Sequence, residues 1–414
     1  MELAMIASDE YQSAGLRGKP ISSISDYFLG TGTARMTSFN DRSYVTYRPG
    51  GLFDLRIEEG LCPGFQRKVE HCRVEEGKPQ ISIQRGIPSP KIEENPREKS
   101  TLVSDDFLPV VVVWKNTTDE LLVSDGRYEV IRQGGVYEVS PGNITIHGPA
   151  LDSFIEHQLL RPLANEVLVP QGAVMVHGGA VQIDGKVVLL LGESGKTSLV
   201  LSLLAKGADY LSDEYAFLTS DGRCVPFTPY IWLDDRHFAH FPELVEPCFP
   251  DPKLRRRMRK NMSFFRMGYS FRGDNYLSKQ LREVLTARMY FEGLTCRFDV
   301  PYPKAKMPPS GPITHVFHLR ANNVDGPMVP ADHRQIADIE AASAWIRFGY
   351  TSTMARLAGM PTIDLPMMQG AFANCIKGAE CHRVRMKMRM VRTREDYEKI
   401  ADEIMEKVSN GRGA

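Results

Sequence analysis

Apolar and polar positions alternate in short runs over the first third of the chain, and each run reads as a half-buried strand. Ser43–Tyr47, Gly51–Ile57 and Gln80–Gln84 form one group. Leu108–Trp114, Glu120–Val123, Arg127–Ile131, Val136–Val139 and Asn143–His147 form another, punctuated by DG, GG and PGN turns. Between the groups lies RGIPSPKIEENPREKS, residues 85–100, rich in proline and charge with no apolar face to bury, which reads as an exposed loop. Residues 1–150 are therefore expected to form a β-rich N-terminal domain. The glycines of GTGTAR, Gly30–Arg35, follow no strand and read as a turn.

The pattern changes after residue 150. Leu151, Phe154, Ile155, Leu159 and Leu160 recur at helical spacing. Val167–Val181 reads as a β-rich run, and an Asp-Gly turn within Ile183–Lys186 folds it back as a hairpin onto the unbroken apolar run Val187–Leu191. A helix follows, with Leu199, Leu201, Leu203 and Leu204 apolar and Gly207 as its C-cap, and then Tyr210–Glu214, a second buried strand ending in two acids. Further on, Val225–Asp235 and Ile313–Arg320 read as strands, and the latter places His315 and His318 on opposite faces. Ile336–Leu357 reads as helix, Arg383–Val391 as a strand with a positive outer face, and Ile400, Ile404 and Val408 as the stripe of a closing amphipathic helix. Residues 151–414 are expected to form an α/β domain with a C-terminal α/β extension.

Composition narrows the function classes. At 414 residues, with 42% hydrophobic and 25% charged, the chain can bury a large core and is not a disordered tail. Basic and acidic residues balance at 51 each, so no net field draws the chain to nucleic acid or to an anionic membrane. Its strongest local charge is Lys253–Lys260, KLRRRMRK, a candidate patch for an acidic partner or, more simply, a solvated helix face. The seven cysteines are scattered, and neither Cys62/Cys72 nor Cys375/Cys381 has the CxxC spacing of a zinc site. Reduced thiols, a start without a basic, apolar signal segment and apolar runs too short to cross a bilayer suggest a cytoplasmic protein.

The candidate chemistry sits where the Val187–Leu191 run empties into Gly192, Glu193, Ser194, Gly195, Lys196, Thr197 and Ser198. Strand, glycine turn, Gly-Lys-Thr and helix form a phosphate-binding arrangement. Glycines turn backbone N–H groups toward an anion, the helix N-terminus adds partial positive charge, and Lys196 adds a full one. Thr197 offers a hydroxyl to Mg²⁺, and Asp213 with Glu214 suits metal binding and general-base work. The loop is two residues shorter than GxxxxGK[ST]. It is a compact working loop, a degenerate one, or one from which two residues have been lost. Asp234 and Asp235 are a second acidic pair, which reads as exposed turn acids rather than as metal ligands. His177, before Gly178 and Gly179, falls beside the loop and is either a core histidine or part of the site.

The ordered set His177-Gly178, the hairpin, GESGKTSL, LLAKGADY and LSDEY resembles the HPr kinase/phosphorylase family and its HPr kinase-like relatives, over Ala173–Leu218. The resemblance implies a P-loop core of the phosphoenolpyruvate-carboxykinase type with a mixed sheet. It implies that Gly192, Glu193, Ser194, Gly195, Lys196, Thr197 and Ser198 hold ATP, and that Thr197 and Glu214 hold Mg²⁺. Asp213 falls on the acid proposed to deprotonate a serine hydroxyl, with His177 and Lys196 assisting, and Glu214 stands where the family usually has a second Asp. The family's later glycine-isoleucine signature is absent, so phosphorolysis is not expected and HPr itself is not the expected substrate.

The expected function is an ATP-dependent kinase acting on a hydroxyl, of a serine in a peptide or of a small metabolite. The alternative is a catalytically inactive HPr kinase-like protein that binds nucleotide or peptide, as the short loop suggests. A nucleic-acid-binding ATPase is the weakest reading. The resemblance also implies a homo-oligomer.

Overall fold

The computed structural model describes residues 43–86, the strands between 114 and 147, most of 155–249, 294–347, 363–387 and 392–410, and part of 251–259, with gaps that include 193–194 and 323–325. The GTGTAR turn and most of the 85–100 loop lie outside the described residues.

The first sheet is built from β1 (Tyr44–Tyr47), β2 (Leu55–Glu58), β3 (Arg73–Val74), β4 (Ile81–Arg85), β5 (Trp114–Lys115), β6 (Glu120–Ser124), β7 (Arg127–Val130), β8 (Gly135–Ser140) and β9 (Asn143–His147). Its order is β3-β1-β2-β4-β9-β8-β7-β6-β5, with β2–β4 and β4–β9 parallel and the other pairs antiparallel. Alternation puts Val45, Leu55, Ile57, Ile81, Ile83, Ile144 and Ile146 in one buried cluster. Phe65 and Val69 of helix α1 (Pro63–Val69), which the sequence reading did not anticipate, join it, as do Leu163 and Leu168 of helix α2 (Arg161–Leu168). Met175, Tyr215, Phe217 and Phe227 belong to the same cluster, so one continuous core joins residues from both sides of position 150.

The expected strand from Val167 is in fact helical at its start. Helix α2 runs to Leu168, and a tight turn, Val169–Gln171, ends it at Gly172, whose left-handed backbone donates to Val169 O at 2.9 Å. Only then come β10 (Val174–Val176) and β11 (Gly179–Ile183). The Asp-Gly turn does form a hairpin. Asp184 and Gly185 both have positive φ, 49° and 81°, which matches the strand twist, and Gly179–Ile183 pairs antiparallel with β12 (Lys186–Gly192).

Beyond β12 come helix α3 (Lys196–Ala205), β13 (Asp209–Ser212), β14 (Ala216–Leu218), β15 (Arg223–Pro226), β16 (Tyr230–Leu233), the short helices α4 (Asp235–His240) and α5 (Val245–Cys248), and β17 (Leu294–Arg297). The chain continues through β18 (Gly311–Asn322), β19 (Val329–Pro330), α6 (His333–Arg347), α7 (Leu365–Ile376), β20 (Glu380–Lys387) and α8 (Arg394–Asn410). The second sheet runs β10-β14-β15-β18-β12-β11-β13, and β20 pairs with β18. It is mixed: β12–β18 and β18–β20 are parallel, whereas β11–β12 and β15–β18 are antiparallel. The molecule is thus a mixed α/β protein.

Strand β12 is covered on both faces, which explains why it is apolar at every position from Val187 to Leu191. Val187, Leu189 and Leu191 pack with Ile336, Ala337 and Ala341 of α6 and Phe372 of α7, while Val188 and Leu190 pack with Leu199 and Leu203 of α3 and Tyr397, Ile400 and Ile404 of α8. Helix α8 buries Ile400, Ile404 and Val408, as their spacing predicts. Helix α3 ends as expected at Gly207: with φ at 97° it lets its own N–H reach Leu204 O and that of Ala208 reach Leu203 O, both at 3.0 Å. The helix read from Ile336 is described to Arg347, and the strand read over Arg383–Val391 begins earlier, at Glu380, and is described to Lys387.

Candidate functional site

The glycine loop begins where β12 meets β18. Gly192 is paired with Leu319 and has φ of 103°; a Cβ there would lie 2.1 Å from the Leu319 carbonyl oxygen, so only glycine fits. Gly195, with φ of 89°, is the N-cap of α3. A Cβ on it would lie 2.5 Å from Arg392 Nη1 and 3.2 Å from the Tyr397 ring. Glu193 and Ser194, between the two glycines, lie outside the described residues.

Lys196 opens α3 almost completely buried, and its Nζ donates to Gly192 O at 2.6 Å across the mouth of the loop. Ser198 is buried inside the same helix, where its carbonyl accepts from Ser202 Oγ at 3.0 Å. Arg392 is 2% exposed, with its guanidinium 5.7 Å from the centre of the Tyr397 ring. Two buried cations therefore converge on one glycine loop at a helix N-terminus, an arrangement that attracts an anion. The sequence reading missed Arg392 because it is one of many basic residues in RVRMKMRMVRTRED.

Asp213 and Glu214 follow β13 in a bend. The bend is fixed by Ser212 Oγ donating to Tyr215 O and by Gly178 N–H donating to Glu214 O at 3.1 Å. Asp213 is 1% exposed. Its Oδ2 accepts from the Trp232 amide of β16 at 3.2 Å, while Oδ1 has no hydrogen-bond partner. Burial and the neighbouring Glu214 charge push its carboxyl up to about 7, against the lowering effects of the Thr197 hydroxyl, the Trp232 amide and Lys196. Thr197, Lys196 and Asp213 thus come together from elements separated in sequence. Glu214 is half-buried beside them.

His177 occupies the break between β10 and β11, half-buried, with its ring 5.9 Å from that of Tyr215. Gly178 and Gly179 are required here by close packing: a Cβ would lie 2.9 Å from Leu191 and 2.8 Å from Val200, respectively. His177, Gly192, Glu340 and Arg320 line one cleft at the ends of the strands.

The second acidic pair has a different part. Asp234 caps α4, accepting from Arg236 N at 3.0 Å and His237 N at 3.2 Å, while its own N–H donates to His237 Nδ1 at 3.0 Å. Burial raises its pKa, but the charges and hydrogen bonds of His237 and Arg236 outweigh burial and hold the carboxyl well below the usual range. In the basic run, Arg255 and Arg259 both pair with Glu246 of α5, so part of its charge is neutralised within the chain. His315 and His318 do lie on opposite faces: His318 reaches Glu340 of α6, whereas His315 reaches Glu380 of β20.

Among the described residues no three His, Cys, Asp or Glu side chains converge as metal ligands. No helix among them is long and apolar enough to cross a membrane. No family model matches the chain, and no curated protein matches it by sequence. Among solved structures it is similar to the HPr(Ser) kinase/phosphatase of Coxiella burnetii at 10% identity, with a TM-score of 0.25, over 57% of this chain and 95% of that one. A likeness that weak assigns no chemistry.

Proposed function

We propose that the chain is a P-loop phosphotransferase of the HPr kinase-like kind, moving a phosphoryl group from ATP to a hydroxyl. The observation that carries this reading is Asp213, a buried carboxylate with one oxygen unsatisfied, set against Thr197 at the N-terminus of α3. An orphaned carboxylate oxygen beside a hydroxyl fits a hard cation such as Mg²⁺, which takes one or two protein oxygens and completes its shell with phosphate and water. Thr197 and Asp213 would hold it.

When bound, Mg-ATP supplies a γ-phosphorus whose bond to the bridging oxygen breaks as the acceptor oxygen bonds to it, ADP leaving. The chain's residues supply position and charge. Lys196, Arg392 and the α3 N-terminus neutralise the phosphates, Gly192 and Gly195 give them room, and Glu214 takes the acceptor's hydroxyl proton with His177 at its side. This exchanges the roles that the sequence suggests for Asp213 and Glu214, because it is Asp213 that faces Thr197.

Calorimetry with Mg-ATP on the full chain tests the reading. Lys196→Ala should weaken binding more than tenfold with the fold intact, and equal affinity in both proteins would remove the loop as a phosphate site. Asp213→Asn should lose the Mg²⁺-dependent part of the affinity; unchanged affinity with lost turnover would return Asp213 to the role of base.

A second reading, a nucleotide-binding protein without transfer, is favoured by the Lys196–Gly192 hydrogen bond, which closes the short loop on itself. Saturable Mg-ATP binding with no ADP release in the presence of hydroxyl acceptors would select it.

A further inference from the structure

The crevice at the carboxyl ends of parallel strands is where α/β sheets take ligands, and this chain has such a cleft at the ends of β12 and β18. Its enclosed space is about 40 Å³, room for about three water-sized groups, and its mouth opens to solvent. Gly192 stands at one edge, so the cleft abuts the phosphate loop, and its walls are Ala344 of α6 with Met368 and Phe372 of α7. It lies on the α6–α7 face of the sheet, whereas α3 covers the other face.

Two charged side chains face this cleft. Arg320 extends from β18 into the lining and makes no hydrogen bond or ion pair with any described residue. A half-buried guanidinium without a carboxylate presents a fork of donors that matches a carboxylate in shape and charge. Glu340 of α6 is the second. His318 lies two residues before Arg320 on the same face of β18, is fully buried, and its Nε2 is 3.0 Å from Glu340 Oε1. That contact holds Oε1 and leaves Oε2 to accept from a hydroxyl.

We propose that this cleft binds a small hydroxylated carboxylic acid, its carboxylate on Arg320, its carbon body against Met368 and Phe372, and its hydroxyl between Glu340 and the Gly192 edge. The role of that acid as phosphoryl acceptor rests on the phosphotransferase reading; its binding does not. The assignment favours a small metabolite over a serine within a peptide, because a peptide-bonded serine has no carboxylate of its own for Arg320.

The test is calorimetry of the full chain, without nucleotide, against glycolate, lactate, glycerate and malate. At least one should bind, and its methyl ester and the corresponding deoxy acid should bind more weakly. Arg320→Gln should lower affinity for the acid tenfold or more, consistent with loss of a charge-assisted pair, and should leave the ester unaffected. Glu340→Gln should shrink the preference for hydroxy acid over deoxy acid. If Arg320→Gln does not fold, Arg320→Lys, which keeps the charge and loses the fork, should give an intermediate loss. Binding of none of the four acids, equal binding by the Arg320 variants, or binding of inorganic phosphate alone would overturn the proposal. Acid binding without Mg-ATP binding would retain the cleft and remove the kinase. Mg-ATP turnover on a serine peptide without acid binding would do the reverse.

Discussion

Two acids follow strand ends in two different sheets of this molecule, and their surroundings have driven them apart. Asp213 follows β13 and Asp234 follows β16; they are 1% and 3% exposed, so burial penalises their charge alike. Asp234 receives two backbone amides and the Arg236 guanidinium, and its carboxyl is held well below the usual carboxylate range. Asp213 receives the Trp232 amide and the Thr197 hydroxyl and stays near 7. A buried carboxylate whose partners are all local is a structural cap. One left short of partners beside a glycine loop keeps an oxygen free for the cation proposed above.

The comparison breaks first at Asp234. Asp234→Ala removes the cap and leaves Arg236 and His237 uncompensated, so it should cost roughly 3 kcal/mol in urea unfolding at pH 7. The pH dependence has a definite sign. A depressed carboxylate pKa stabilises above the unfolded value of about 3.9, and that contribution should fade only as pH drops below it. A loss under about 0.5 kcal/mol would show that Asp234 is not the structural member of the pair.

Asp213→Asn should act in the opposite direction. With the folded value raised, the native state keeps a proton that the unfolded chain releases between about pH 4 and about pH 7, so stability falls as pH rises through that window. Asparagine carries no such penalty. The ligand-free variant should therefore be about 1–2 kcal/mol more stable than wild type at pH 8 and indistinguishable from it at pH 4. A variant less stable at pH 8 would show that the Asp213 charge is satisfied at rest.

Smaller effects sharpen the contrast. Millimolar Mg²⁺ should raise the melting temperature of the wild type by about 2 °C and leave Asp213→Asn unmoved; equal shifts would place the cation elsewhere. Smallest of all, Glu214→Gln removes the like charge that helps to raise Asp213. The Asp213 titration, followed by carboxyl NMR, should then move down by a few tenths of a pH unit, and no movement would mean that burial alone sets it.

How much of this was legible follows from what each signal records. The Asp-Gly hairpin, the apolar run of β12, the Gly207 stop and the Ile400, Ile404 and Val408 stripe were read correctly because each reports a local backbone preference or a single element's buried face. Val167–Gln171 misled for the same reason: a short apolar run does not distinguish a helix end from a strand. Helix α7 escaped notice because Gly370 interrupts its pattern, although Pro366 stands in its first turn and Asp364 caps it through the Met367 amide at 2.7 Å.

By itself the sequence determined a glycine loop between a buried strand and a helix, with two acids ending the next strand and a lysine at the helix start. Only the tertiary structure decided which acid faces that helix, since Asp213 and Asp234 look alike in sequence and differ in what folds against them. It also brought Arg392 onto Gly195 from almost two hundred residues away, and set Arg320 and Glu340 around one cleft. Side-chain periodicity carries the burial of a residue along its own element, but the partner that meets it across the sheet is set by strand order, which no local pattern encodes.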